Sequence, residues 1–176
     1  MLKIEIREAV ESDVPVLLGF IRELAEYEKL SDDVVADERT VRATLFGPRP
    51  VAEAMVASFD SRDVGFALFF HNYSTFLGRA GLYLEDLYVQ PAARGAGVGQ
   101  ALFGRLVELA LERDCHRMEW SVLNWNSPAI RFYETLGAEP LDQWTVYRLT
   151  RTALEKLSGK RGCSGRIPAN RTSGNQ

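Results

Sequence analysis

Apolar and polar residues alternate from Lys3 to Arg7, the signature of a short strand at the start of the chain. The period then changes. After Ser12-Asp13, a helix start, Val16, Leu17, Phe20, Ile21, Leu24 and Ala25 recur at helical spacing and predict a helix that ends at Tyr27-Glu28-Lys29, near the polar loop Ser31-Asp32-Asp33. A second, shorter helix is predicted over Asp37 to Phe46, closed by Gly47-Pro48. Val51 to Phe59 and Val64 to Phe70 read as strands of a hairpin, with Asp60-Ser61-Arg62-Asp63 as the polar turn.

The stretch Leu82 to Gly99 is the most distinctive. Tyr83 to Val89 are mostly strand formers, and Pro91, which has no amide to donate, stops the ladder. Gly95, Gly97 and Gly99 follow at alternate positions. From Val98 the apolar residues Val98, Leu102, Leu106, Leu109 and Ala110 fall on one helical face. Met118 to Val122 then reads as a strand. Asn126-Ser127-Pro128 opens a helix, with a capping side chain followed by proline in the first turn, and Gly137 ends it as a left-handed cap. Trp144 to Leu149 alternates as a last strand, and Arg151 to Leu157 adds a helical turn. The order β-α-α-β-β-β-α-β-α-β mixes hairpins with crossovers, so the fold class is α/β with a mixed sheet.

At 176 residues the chain suits one domain with a full core, expected over residues 1–157. Residues 158–176 are rich in Gly, Ser, Asn and Arg and predict a flexible basic tail. That tail holds four cations and no acid, so the body is more acidic than the net charge of −3. An acidic body argues against nucleic acid as a partner and suits a cationic substrate, although a solvated acidic surface explains charge alone equally well. Two cysteines, Cys115 and Cys163, make no disulfide framework, and the N-terminus carries no signal-peptide pattern. A reducing cytoplasm is the expected compartment. No apolar run is long enough to cross a bilayer, and His71 and His116 share no metal-ligand spacing with cysteines or carboxylates, so neither a membrane nor a metal is expected.

Glycines at a strand-to-helix turn favour an anion, because the first helical amides are free and the helix dipole is positive there. Two familiar phosphate motifs fail. A P-loop requires Lys-Ser/Thr after its last glycine, and Gly99 is followed by Gln100-Ala101. A dinucleotide fingerprint requires its third glycine at position 100, although Glu119 mimics the ribose-binding acid. Glycines that merely cap a structural helix remain an alternative, for which one glycine suffices.

Arg94-x-x-Gly97-x-Gly99 resembles the acetyl-CoA signature of the GNAT superfamily of N-acyltransferases. A second hallmark is similar too: Asn126-Ser127-Pro128-Ala129-x-x-Phe132-Tyr133-x-x-x-Gly137. Within the superfamily, three stretches resemble the diamine (spermidine/spermine) acetyltransferase group: Arg22-Glu23-Leu24-Ala25-x-Tyr27-Glu28, Tyr83 to Val89, and Trp125-Asn126. The likeness covers about residues 3–150. It implies a mixed, mostly antiparallel sheet flanked by helices, acetyl-CoA as co-substrate, and a homodimer. It further implies that the backbone of Leu87, Tyr88 and Val89 pairs with the pantetheine arm. Arg94, Gly95, Ala96, Gly97, Val98, Gly99 and Gln100 would then cradle the pyrophosphate, and Asn126, Ser127, Pro128 and Ala129 would lie along the cofactor.

Acetyl transfer from a thioester to an amine needs a neutral amine, a donor for the developing oxyanion and a proton for the leaving sulfur. A free alkylammonium with a pKa of ~10.4 is less than about 0.1% neutral at pH 7. Glu85 is suited to accept the amine proton, directly or through water. The resemblance makes Tyr133 the general acid, and Tyr27 and Glu28, with Glu85, the acceptor site. No protein nucleophile is required, which implies direct transfer in a ternary complex. Read alone, Tyr133 beside Phe132 is an aromatic pair on a helix face, and Cys115 a small buried hydrophobe. Adjacent carboxylates in a strand face opposite ways, so only one of Glu85 and Asp86 is expected at the site, the other paired or solvated.

The acceptor is read from which acids are present. Polyamine enzymes carry an acid near the position of Thr75, which is neutral, and another after the final helix, in a segment shortened here between Leu141 and Trp144, where whether Asp142 replaces it stays open. Asn72-Tyr73-Ser74-Thr75-Phe76 with Gly78-Arg79 resembles the thialysine acetyltransferase branch. A small amino-acid side-chain amine or a diamine is therefore expected. A protein or peptide N-acetyltransferase and a non-catalytic coenzyme A-binding module are the alternatives; an enclosed acidic pocket counts against the first, and Glu85 together with Tyr133 against the second.

Overall fold

The computed structural model describes residues 3–159. Beyond Gly159, the expected basic tail lies outside the described residues. Two compact units make up the chain, divided between Trp125 and Asn126, inside the stretch 1–157 expected as one domain.

The first unit holds a five-stranded sheet in the order β1-β2-β3-β4-β5. Its strands are β1 (Ile4–Glu8), β2 (Glu53–Phe59), β3 (Arg62–Ser74), β4 (Arg79–Val89) and β5 (Met118–Trp120). All neighbours are antiparallel except β4 and β5, which are parallel. The sheet is mixed and mostly antiparallel, as expected. Its helices are α1 (Val14–Glu28), α2 (Glu38–Leu45) and α3 (Val98–Glu112). Alternation along the strands splits the core. Leu17 and Phe20 of α1 pack on Ala54, Val56, Phe66 and Tyr88, and the Phe20 and Phe66 rings stack at 5.9 Å. Met55, Phe69, Leu82 and Leu84 are buried, as are Leu102 and Leu106 of α3. Phe103 of α3 meets Trp120 of β5 edge-to-face at 5.3 Å.

Local chemistry sets the helix ends. Asp13 is buried and receives a two-pronged contact from the Arg7 guanidinium and the Val10 amide at 2.8 Å, anchoring the entry to α1. The Arg7 cation holds the Asp13 carboxyl below the usual carboxylate range. Asp37 caps α2 by accepting from the Thr40 amide at 2.7 Å. The hairpin between β2 and β3 is tighter than its polar sequence suggests. Only Asp60 and Ser61 form the turn, both at positive φ, which matches the twist of a two-residue hairpin loop. β3 and β4 run on to Ser74 and back from Arg79, several residues beyond the expected strands. Cys115 is buried, and burial pushes its thiol pKa up, as suits a small hydrophobe.

The second unit contains α4 (Ser127–Thr135) and α5 (Arg151–Leu157). Asn126 caps α4, its side chain accepting from the Ala129 amide at 3.4 Å. Gly137, at φ 85°, closes it, with the Gly137 amide donating to Glu134 and the Ala138 amide to Tyr133. One expectation fails. Trp144 to Leu149 is not a strand; among the described residues no ladder partner meets it, and Val146 and Tyr147 are 84% and 90% exposed. Alternation alone does not make a strand, because each strand needs a neighbour for its amides and carbonyls.

Candidate active site

The site is built on β4. β4 pairs with β3 along its whole length, whereas β5 accompanies it only from Leu82 to Leu84. Among the described residues, no strand continues β5 beside residues 85–89. The backbone of Leu87, Tyr88 and Val89 therefore offers an edge that no strand pairs, with only the Val89 carbonyl already met by the Arg94 Nε at 2.9 Å. An extended amide-bearing ligand can join it like an added strand.

A bulge shapes the same stretch. Leu68 faces Asp86 and Phe69 faces Leu84, so Glu85 is the extra residue with no opposite number. The insertion breaks the simple alternation expected here. Leu84 shares a face with Phe69, while Asp86 shares one with Leu68, Phe66 and Tyr88, the α1 side. Glu85 is exposed and Asp86 half-buried. Asp86 is thus partly withdrawn from solvent, and among the described residues no ion pair answers it. Burial, then the charges of Glu85 and Glu28, push its pKa up to about 6. Sequence reasoning missed Asp86 as a site residue; the signal available was its place beside Glu85 in a strand next to an acidic helix end.

Glu28 and Tyr27 lie in the last turn of α1, which ends in a left-handed cap at Lys29 with φ 62°. Burial raises the Glu28 pKa. The Tyr27 ring lies 5.7 Å from the Trp125 ring, and the Arg94 guanidinium sits 4.7 Å over its face. Tyr27, Glu28, Glu85 and Asp86 therefore gather at one end of the first unit, as the acceptor assignment requires of the first three.

β4 feeds α3 through the glycine turn. Gly95 and Gly97 hold φ of 79° and 88°, a left-handed conformation that costs other residues energy. Gly97 is the N-cap of α3, so the amides of the first turn, from Val98 to Gln100, have no partner within the helix. Arg94, Gly95, Ala96 and Gly97 are exposed around them. Gly99 sits within α3 in ordinary conformation, and a Cβ there would meet Val89 at only van der Waals distance, 3.8 Å. Two glycines, not three, are demanded by the backbone. The turn fits a pyrophosphate: the first amides of a long helix, reached past exposed glycines. No group of three metal-ligating side chains occurs among the described residues, and no described helix is long and apolar enough to cross a membrane.

In the second unit, Ser127, Pro128 and Ala129 form the first turn of α4 behind Asn126, and Tyr133 lies one turn on, its ring 5.3 Å from Phe132. A second helix N-terminus with a capping asparagine is thus present, as the sequence indicates.

Comparison with known proteins agrees with this architecture. Residues 20–138 match the Acetyltransferase (GNAT) family, a span that includes β4, the glycine turn and α4. The chain belongs to the GNAT family and is an acetyltransferase. Among curated relatives, thialysine N-epsilon-acetyltransferase of Sus scrofa is 41% identical over 91% of this chain and all of its own length. The protein of that name in Caenorhabditis elegans is 32% identical over 90% of the chain and 99% of its own. L-ornithine N5-acetyltransferase of Arabidopsis thaliana is 30% identical over 86% of each. Among solved structures, an integron cassette protein from the mobile metagenome of V. cholerae superposes with a TM-score of 0.75 at 26% identity, covering 89% of this chain and 98% of its own.

Proposed function

We propose that this acetyltransferase moves the acetyl group of acetyl-CoA to the primary amine of a small cationic acceptor, a thialysine- or lysine-like amino acid or a short diamine. The observation that carries the reading is the gathering of Glu28, Glu85 and Asp86 beside the open edge of β4. Three carboxylates and an aromatic wall attract an ammonium group and hold it near the strand that would receive the pantetheine arm. The names of the curated relatives, which specify thialysine and ornithine, support the same acceptor class.

Bound acetyl-CoA supplies the activated acetyl thioester. The chain's own residues do the rest. Leu87 to Val89 align the pantetheine arm, and the turn from Arg94 to Gln100 holds the pyrophosphate; the family resemblance assigns Asn126 to Ala129 to the cofactor as well. Asp86 and Glu28 neutralise the ammonium, and Glu85, released by the bulge from the ladder, takes its proton directly or through water. The neutral amine then attacks the carbonyl carbon directly and its nitrogen sheds a second proton to solvent. The carbon–sulfur bond breaks as Tyr133, by its place in the family motif, gives a proton to the departing sulfur, and the products are an acetamide and coenzyme A.

The test is acetyl-CoA consumption with thialysine, lysine, ornithine, short diamines, spermine and peptides. The amino acids, each with one side-chain amine and an α-amine balanced by its own carboxylate, are expected to exceed spermine and peptides in kcat/KM by at least about ten-fold, because each extra cation needs its own anchor. Preference for peptides over free amines would overturn the acceptor assignment.

The active form is proposed to be a homodimer. Trp144, Val146, Tyr147 and Leu149 carry a strand pattern yet stand 57–90% exposed, a set of apolar side chains that a second copy can cover. Sedimentation is expected to give twice the chain mass; a monomer at micromolar concentration would refute it.

A further inference from the structure

Arg94 belongs by its position to the cofactor turn, but its side chain is spent elsewhere. Its Nε donates to the Val89 carbonyl at 2.9 Å, across the turn that leaves β4. Its guanidinium lies over two rings, 4.7 Å from the centre of Tyr27 and 5.8 Å from that of Tyr88. Tyr27 ends α1 beside Glu28 and touches Trp125, so it stands in the acceptor wall. The same two elements are tied once more, where Gln90 donates to both carboxylate oxygens of Glu23 at 3.1 Å. Tyr88 is buried in the α1 core and cannot shift freely. Arg94 is thus the side chain shared by the acceptor wall and the cofactor turn.

We infer that Tyr27 and Arg94 act as one positioning unit, so that the Tyr27 ring holds the cofactor turn in its binding shape and coenzyme A and the amine strengthen each other's binding through this stack. The contact to Arg94 runs through the Tyr27 π face, over which the guanidinium lies. Because the stack would set the shape of the turn itself, a change at Tyr27 registers in cofactor affinity even with no amine present, and any effect of the amine on coenzyme A binding is matched by an equal effect of coenzyme A on the amine. The inference rests on the cofactor assignment above but not on which amine is acetylated.

The experiment is calorimetric titration of coenzyme A alone into the full chain and into Tyr27→Leu, Tyr27→Phe, Arg94→Ala and the Tyr27→Leu/Arg94→Ala double variant. A cation–π contact of this kind predicts that Tyr27→Leu weakens coenzyme A by about three- to ten-fold while Tyr27→Phe binds like the unaltered protein. In the Arg94→Ala background, Tyr27→Leu is expected to add nothing, the mark of residues that act together. Unchanged affinity in Tyr27→Leu, or losses that multiply in the double variant, overturns the coupling while leaving the function intact. Failure of the unaltered chain to bind coenzyme A overturns the cofactor assignment, and this inference with it. Circular dichroism of Tyr27→Leu guards against misfolding; should that variant unfold, Tyr27→Met takes its place in the same titrations.

Discussion

Tyr133→Phe is expected to keep coenzyme A affinity within about two-fold and to lower kcat by at least about ten-fold, within the range of a lost general acid. The substitution removes one oxygen and leaves the ring that packs 5.3 Å from Phe132. Helix α4, with its asparagine cap and its glycine closure, should fold unchanged, because neither cap uses the phenol. The chemical demand is clear. A thiolate leaves more readily when a proton meets it, and a phenol is a suitable donor. Loss should fall on kcat and on kcat/KM alike, since the proton moves only in the transition state. Unchanged turnover would hand the protonation step to water. Lost coenzyme A binding would make Tyr133 part of the cofactor wall instead.

Much of this site is legible along the chain because it is written in local grammar. Asn126, Pro128 and Gly137 bound α4 through contacts within three to five residues, and Gly95 and Gly97 adopt the backbone that their lack of a Cβ permits. What hides is set by partners remote in sequence. The bulge at Glu85 exists only because Leu68 and Phe69 of β3 pair across it, and no feature of β4 alone reveals that one residue is extra. The faces of Leu84 and Asp86 depend on it. The stack of Arg94 on Tyr27 joins residues 67 positions apart, so a motif that names Arg94 as a cofactor residue is silent about its neighbour. The expected strand at Trp144–Leu149 fails for a related reason: alternation states which faces a strand would have, and nothing about whether a ladder awaits it.

Asp86→Asn is expected to move stability and activity in opposite directions. In the folded chain the Asp86 carboxyl titrates near 6, above its unreacted value of 3.8, so folding favours the protonated acid. The sign follows directly: the stability associated with this group is fully present below the unfolded pKa and is lost as pH rises through about 6. At pH 7.5 the ionised carboxylate therefore strains the fold, and its removal should stabilise by roughly 1–2 kcal/mol once partial solvent screening is allowed for. Activity should fall, by about ten-fold or more in kcat/KM for a cationic acceptor, as charge-assisted contacts of this strength imply. Acidification of the unaltered enzyme should act similarly, with an additional loss of kcat/KM below about pH 6 that Asp86→Asn does not show. A bound ammonium would draw the Asp86 pKa down and relieve the strain, so thialysine should raise the melting temperature of the unaltered protein more than that of the variant. A carboxylate kept only for structure would lower stability when removed, and unfolding midpoints at pH 5 and 7.5 separate the two cases.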